Sequence, residues 1–161
     1  MPLTPFHLGP SFAIGMIFQR QINMAAILLS STVIDVRTTY CFFLYECQLH
    51  GPLHTYLGAT VFAMSIIIVI YTSKNHLRKL SDKLKIKQSY STKSIILGAL
   101  VGAWSHVFLD SFMHYDITPF WPILENPLLG VVSNQINYII TIVGFVIGSG
   151  VYFYKIYKSR H

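Results

Sequence analysis

Hydrophobic residues form five long stretches that are separated by short polar or charged runs. These stretches cover about residues 6–18, 22–36, 53–71, 94–113 and 127–154. A helix needs ~20 apolar residues to cross the hydrocarbon core of a bilayer, so the last three stretches predict spanning helices. The first two are shorter and predict a hairpin of two short helices. We therefore predict an all-α, multi-pass membrane bundle of about five helices, formed by one domain over residues 1–161.

The polar run Gln19-Arg20-Gln21 separates the first two stretches. The alternative is one long tilted helix with Arg20 at its centre. An unpaired arginine in the middle of a bilayer is costly, and this favours the hairpin.

Composition supports a location in lipid. The chain is 53% hydrophobic and only 11% charged, with a mean hydropathy of +0.51, whereas soluble domains have about 25% charged residues. The two cysteines, Cys41 and Cys47, share one stretch. They form a small disulfide loop if that stretch faces an oxidising compartment, and otherwise remain thiols.

Basic residues lie mainly in the loop 74–93 and in the tail 155–161. The positive-inside rule places both in the cytoplasm, and five helices then place the N-terminus outside. Of twelve Lys and Arg residues only Arg37 falls on the outer side, and of six acids only Asp82 falls inside. Topology thus accounts for the net charge of +6. We predict contacts with membrane lipids, anionic ones at the basic loop, and no nucleic-acid partner.

The segment GAWSHVFLDSFMHYD places His106, Asp110 and His114 four residues apart. On a helix these positions share one face. Imidazole and carboxylate groups on one face can bind a divalent metal ion, and ionisable groups in an apolar segment are usually functional. His114 lies towards the interface, where a solvated histidine is the alternative.

The topology brings further candidate ligands to the same outer face. Asp35 ends the run ILLSSTVID, and His54 falls in the first turn of the third predicted helix. His7 lies in a proline-bracketed turn near the N-terminus, and His50 lies in the loop before His54. The alternatives are a solvated boundary residue for Asp35 and exposed surface positions for His7 and His50.

Imidazole and carboxylate ligands without thiolate suit zinc, with manganese or iron as alternatives. A catalytic metal site keeps one position open for water and can bring the pKa of that water near 7. The pattern therefore favours hydrolysis over redox chemistry.

These motifs, in this order, resemble the YdjM-like membrane-bound metal-dependent hydrolases, also described as LexA-binding, inner-membrane-associated hydrolases. His7 in TPFHLG, Asp35 in STVID, His54 in HGPLHT, and His106 and Asp110 in the Gly-x-x-x-His-x-x-x-Asp element match the family pattern. The usual Pro-Asp-x-Asp is Ile34-Asp35-Val36-Arg37 here, with one acid instead of two.

The resemblance implies a fold and an activity. The family's metal motifs are similar to those of zinc-dependent phospholipase C. The resemblance thus implies an inner-membrane hydrolase in which His7, Asp35, His54, His106 and Asp110 bind one or more zinc ions. His50 and His114 are possible additional ligands.

We expect the metals to activate water for attack on a phosphoester of a lipid or lipid-linked substrate, with Asp35 or Asp110 as the bridging or base carboxylate. The rival hypotheses are a non-enzymatic metal- or haem-binding protein or scaffold, and an intramembrane metalloprotease. The last lacks any His-Glu-x-x-His motif. The particular substrate and the oligomeric state stay open.

Overall fold

A computed structural model describes residues 7–44 and 50–159, and in this part of the chain all regular structure is helical. The described residues include six α-helices and the 3₁₀ turn Pro52–His54. The helices are α1 (Leu8–Ile17), α2 (Met24–Val33), α3 (Val36–Leu44), α4 (Tyr56–Lys83), α5 (Thr92–Ser111) and α6 (Asn134–Lys158). Since α2 and α3 together form one span, Met24–Phe43, the described residues make five helical segments. The predicted all-α bundle is confirmed.

Polar side chains define where the helices begin. The side chains of Asn23, Thr55, Ser91 and Ser133 each accept a hydrogen bond from a backbone N–H in the first turn of α2, α4, α5 and α6. Such N-caps satisfy donors that have no partner within the helix. The polar run at Arg20 lies between α1 and α2, as the hairpin prediction requires.

Three boundaries differ from the sequence prediction. The second segment continues past Asp35 into α3, so this residue lies at a break within the segment rather than at its end. Helix α4 continues to Lys83, so the first half of the basic segment 74–93 is helical. Helix α6 begins at Asn134 rather than near Pro127, because Ser133 provides its N-cap and residues 112–133 form irregular structure.

Helix α5 lies at the centre of the bundle and packs against α2 and α4, while α1 packs against α6. Small residues allow these close approaches. A Cβ added at Gly102 would overlap the backbone oxygen of Ile27 on α2, and one added at Gly144 would overlap the backbone of Gly9 on α1. Small residues at helix contacts are typical of membrane bundles, where backbones approach closely.

Four described helices are long and apolar enough to cross a membrane: Met24–Phe43, Tyr56–Lys83, Thr92–Ser111 and Asn134–Lys158. Large apolar side chains cover the outward surfaces of α4 and α6, among them Val61, Ile68, Ile139 and Val146. So much exposed apolar area is unusual for a soluble monomer and is expected in contact with lipid. Cys41 is buried on α3 and is disulfide-bonded, which agrees with the first alternative for the cysteines. Cys47 lies outside the described residues.

Candidate metal centre

The five predicted ligands converge at one end of the bundle. His7 directly precedes α1, and Asp35 lies at the break between α2 and α3. His54 ends the 3₁₀ turn before α4 rather than lying in the first turn of that helix as predicted, because Thr55 is the N-cap and α4 begins at Tyr56. His106 and Asp110 lie one turn apart near the end of α5. All five residues are buried, with at most 6% of their surface exposed. Four chain segments therefore bring these side chains into one interior cluster.

The cluster centres on the two carboxylates. His106 Nε2 lies 3.0 Å from Asp110 Oδ2 and 3.2 Å from Asp35 Oδ1. His54 Nε2 lies 3.2 Å from the same Asp35 oxygen and 3.7 Å from Asp110 Oδ2. His7 Nε2 contacts the other Asp110 oxygen at 3.1 Å. We call Asp35, His54, His106 and Asp110 the inner group.

The orientation of His106 is fixed by the backbone. Its Nδ1 lies 2.7 Å from the carbonyl oxygen of Ser31 on α2. A carbonyl can only accept a hydrogen bond, so Nδ1 must carry a proton and donate it. In the neutral imidazole, Nε2 then carries no proton and presents a lone pair. This atom is buried without a hydrogen-bond partner while it faces two carboxylates. Either a further proton or a cation must relieve this repulsion.

The spacing of the inner group fits a small divalent ion. Ligand bonds of about 2.0–2.1 Å in a tetrahedral site place neighbouring donor atoms about 3.3–3.4 Å apart. The donor contacts given above range from 3.0 to 3.7 Å. The ligand atoms of all four residues lie within 4.8 Å of one another. The carbonyl behind His106 is the kind of partner that commonly orients metal-binding histidines.

A second set of donors adjoins the inner group and shares Asp110 with it. The ligand atoms of His50, Asp110 and His114 lie within 4.8 Å of one another, and we call these residues the outer group. His114 Nε2 lies 3.9 Å from Asp110 Oδ1, and the rings of His50 and His114 are 4.3 Å apart. The possible additional ligands of the sequence prediction therefore lie beside the main cluster.

Asp116 orients His50. Its two carboxylate oxygens lie 2.8 and 2.9 Å from His50 Nδ1, which leaves Nε2 available for another partner. Of the ionisable side chains here, those of His114 and Asp116 are the most exposed, at 15% and 19%. Solvent therefore approaches the cluster from this side.

Burial and neighbouring charges shift the pKa values of three groups that lie outside the spanning helices, His54, His114 and Asp116. Burial has the larger effect on the two histidines. It lowers the pKa of His54, although a hydrogen bond to Asp35 opposes this shift. Burial also lowers the pKa of His114 against the opposing charge of Asp110. Both shifts favour the neutral imidazole, which is the form that binds a metal. Burial alone would raise the pKa of Asp116, but the adjacent His50 outweighs it and holds that pKa below its ordinary value.

Other histidines and acids lie apart from the site. His76 is an exposed residue of α4, remote from the cluster, and Glu125 is exposed in the loop after α5. Glu46 and His161 fall outside the described residues. Sequence reasoning did not identify the carbonyl of Ser31 as the partner of His106. Only the packing of α2 against α5 reveals that contact, because a backbone oxygen leaves no signal in the sequence.

A comparison with family models matches residues 6–160 to the family described as YdjM inner membrane protein. The match covers nearly all of the chain, from just before His7 to beyond α6. No curated protein and no solved structure shows a significant match to the chain.

Proposed function

The chain belongs to the YdjM inner membrane protein family, and from that premise we propose that it is a metal-dependent hydrolase that cleaves a phosphoester of a lipid or lipid-linked substrate. One observation carries the proposal. A fully buried imidazole nitrogen, His106 Nε2, faces the carboxylates of Asp35 and Asp110 and has no hydrogen-bond partner. A divalent cation satisfies this arrangement, because it accepts the nitrogen lone pair and compensates both negative charges.

The inner group would hold the first ion, with His7 placed against the other oxygen of Asp110. Zinc suits this mixture of imidazole and carboxylate, and manganese or iron are alternatives. A bound ion would lower the pKa of a water molecule and stabilise negative charge that develops on phosphate oxygens.

The protein's own residues define the remaining roles. Asp110 belongs to both the inner and the outer group, so it could bridge two ions or orient the attacking water. Asp35 contacts two histidines and is the second candidate for the base. Burial of the cluster keeps bulk water away and strengthens every electrostatic interaction within it.

A lipid substrate fits the surroundings of the site. Trp104 and Phe108 are partly exposed on α5, and Tyr56 contacts both Trp104 and Phe120. These aromatic side chains present apolar area beside a polar cluster at the end of the spanning helices. A substrate with a phosphate headgroup and acyl chains matches both surfaces. We place this end of the bundle at the outer face of the membrane, following the charge distribution of the sequence.

Metal binding can be tested with full-length protein in neutral detergent. We expect about one or more zinc ions per chain by elemental analysis after zinc loading and desalting. Asp35→Asn and His106→Gln should each lose the inner ion, while His76→Gln removes an exposed histidine as the matched control and should keep it. Circular dichroism and gel filtration confirm that each variant is folded. Wild-type protein that retains no zinc, manganese or iron would contradict the proposal.

Hydrolysis requires its own assay. Zinc-loaded protein in mixed micelles should release a phosphorylated headgroup from phospholipids, or inorganic phosphate from polyprenyl phosphates. We expect Asp110→Asn and chelation each to reduce this rate at least about 100-fold, since both remove the activated water. Protein that binds zinc but cleaves neither lipid class supports the rival hypothesis, a metal-binding scaffold without enzymatic activity.

A further inference from the structure

A basic cavity of about 1000 Å³ lies at the end of the bundle opposite the metal centre. The ends of α1 and α6 and the loop after α4 form its walls. His106 and Asp110 lie 14 and 18 residues after the start of α5 at Thr92, so about 21–27 Å of helix separates this end from the site. Five basic side chains line the basic cavity: Arg20, Lys85, Lys87, Lys155 and Lys158.

Positive charge in the basic cavity is mostly uncompensated. Asp82 is the only acid among its lining residues. Within the described chain, Arg20, Lys85, Lys87 and Lys158 form no ion pair. Lys155 instead donates a hydrogen bond to the backbone oxygen of Met16 near the end of α1. Several like charges around one cavity repel each other, and a bound anion relieves that repulsion.

The backbone at Lys85 provides a second observation. This residue has a φ of 56°, in the left-handed region, directly after α4. Its N–H bonds to the carbonyl of Asp82, and the N–H of Ile86 bonds to that of Ser81. These bonds define a helix C-terminal motif in which glycine is the usual residue. A lysine in this conformation is strained relative to glycine, yet it places a positive charge in the cavity.

Apolar side chains complete the basic cavity. Ile17 and Phe18, at the end of α1, and Tyr154, on α6, all line it and are about half exposed. A small inorganic anion would leave these side chains uncovered. An amphiphile with an anionic head would satisfy the basic and the apolar surface together.

We propose that the basic cavity binds the phosphate headgroup of an anionic phospholipid, whose acyl chains lie against Phe18 and Tyr154. Basic pockets between membrane helices are known to hold such headgroups. The inference is independent of the proposed hydrolysis, since the basic cavity shares no residue with the inner or outer group.

The first experiment measures binding of radiolabelled phosphatidylglycerol to the purified full-length protein in neutral detergent. Lys85→Gly is the decisive variant, because it removes the charge while it relieves the backbone strain. We expect affinity to fall about fivefold, as loss of ~1 kcal/mol per basic residue implies, with a melting temperature equal to or above that of wild type. Arg20→Gln combined with Lys158→Gln should weaken binding about 25-fold.

Lys79→Gln is the matched control, because it removes an exposed charge from the same basic segment but outside the cavity. It should change affinity less than twofold. An equal loss in Lys79→Gln and Lys85→Gly would overturn the proposal and indicate non-specific attraction to the basic surface.

Competition distinguishes the source of the phosphate. Unlabelled phosphatidylglycerol should displace the label, while phosphatidylcholine and inorganic phosphate should not at comparable concentrations. Displacement by inorganic phosphate as effective as that by lipid would show a site for soluble anions instead. The zinc content of Lys85→Gly, measured in parallel, should equal that of wild type. A failure of the lipid-binding proposal can therefore be told apart from a failure of the metal-binding proposal.

Discussion

Asp116 is the residue that fixes His50 in the outer group, since both of its oxygens contact Nδ1 of that histidine. We expect Asp116→Asn to reduce the affinity for an ion bound by the outer group about 10- to 100-fold, the usual effect of removing a carboxylate that orients a metal-binding histidine. Zinc titration with a competing chelator measures this loss. The inner ion should remain.

Glu125→Gln is the control for that change, because this acid is exposed and belongs to neither the inner nor the outer group. If Asp116→Asn and Glu125→Gln show the same zinc affinities as wild type, His50 is held by hydrogen bonding alone and is not a ligand.

Individual residues differ in how well the sequence revealed them. The spacing of His106 and Asp110 placed both on one helical face, and the structure has them 3.0 Å apart at the nearest atoms. Asp116 contacts His50 across 66 positions of sequence, through a loop that no periodicity describes. Local patterns predict contacts within a helix, whereas contacts between loops depend on the packing of the whole bundle.

At the scale of the elements, the contact of α2 with α5 joins Asp35 to His106. Gly102 lies on this interface, where an added Cβ would overlap the backbone of Ile27. We expect Gly102→Ala to lower the free energy of unfolding by about 1–3 kcal/mol, as overpacking does, and to weaken zinc binding by separating the two ligands. Thermal unfolding followed by tryptophan fluorescence, with zinc titration, checks both effects.

The matched variant is Gly150→Ala on α6, where nothing lies within 4 Å of an added Cβ. Alanine there should leave zinc affinity unchanged and be neutral or stabilising by about 0.5–1 kcal/mol, since glycine disfavours helix. Equal behaviour of the two variants would show that the close helix contact is not needed for the site.

Helix boundaries were predicted less well than the helices themselves. The apolar stretches identified five helical segments because lipid contact demands continuous hydrophobicity. The continuation of α4 to Lys83 was missed, because basic residues favour helix as readily as loop. The hydrophobic pattern reports the part of a helix that lies in lipid, whereas capping decides where the helix ends.

At the scale of the whole molecule, the helices separate two charged regions. The end with His7, Asp35, His54 and Asp110 combines imidazoles and carboxylates, and the opposite end holds the basic cavity. The sequence anticipated this partition, but it did not reveal the cavity, since the ends of α1 and α6 and the loop after α4 meet only in the folded chain.

The last prediction concerns which end of the bundle faces which side of the membrane. The positive-inside rule predicts that the basic cavity faces the cytoplasm and that the candidate metal centre lies at the outer face. In a background with Cys41 and Cys47 replaced by alanine, we introduce single cysteines by Tyr115→Cys near the site and Lys79→Cys on α4; both positions are exposed. A membrane-impermeant maleimide added to intact cells should label the first variant, and the second only after permeabilisation. The reverse pattern would place the metal centre in the cytoplasm, and the lipid substrate would then have to come from the inner leaflet.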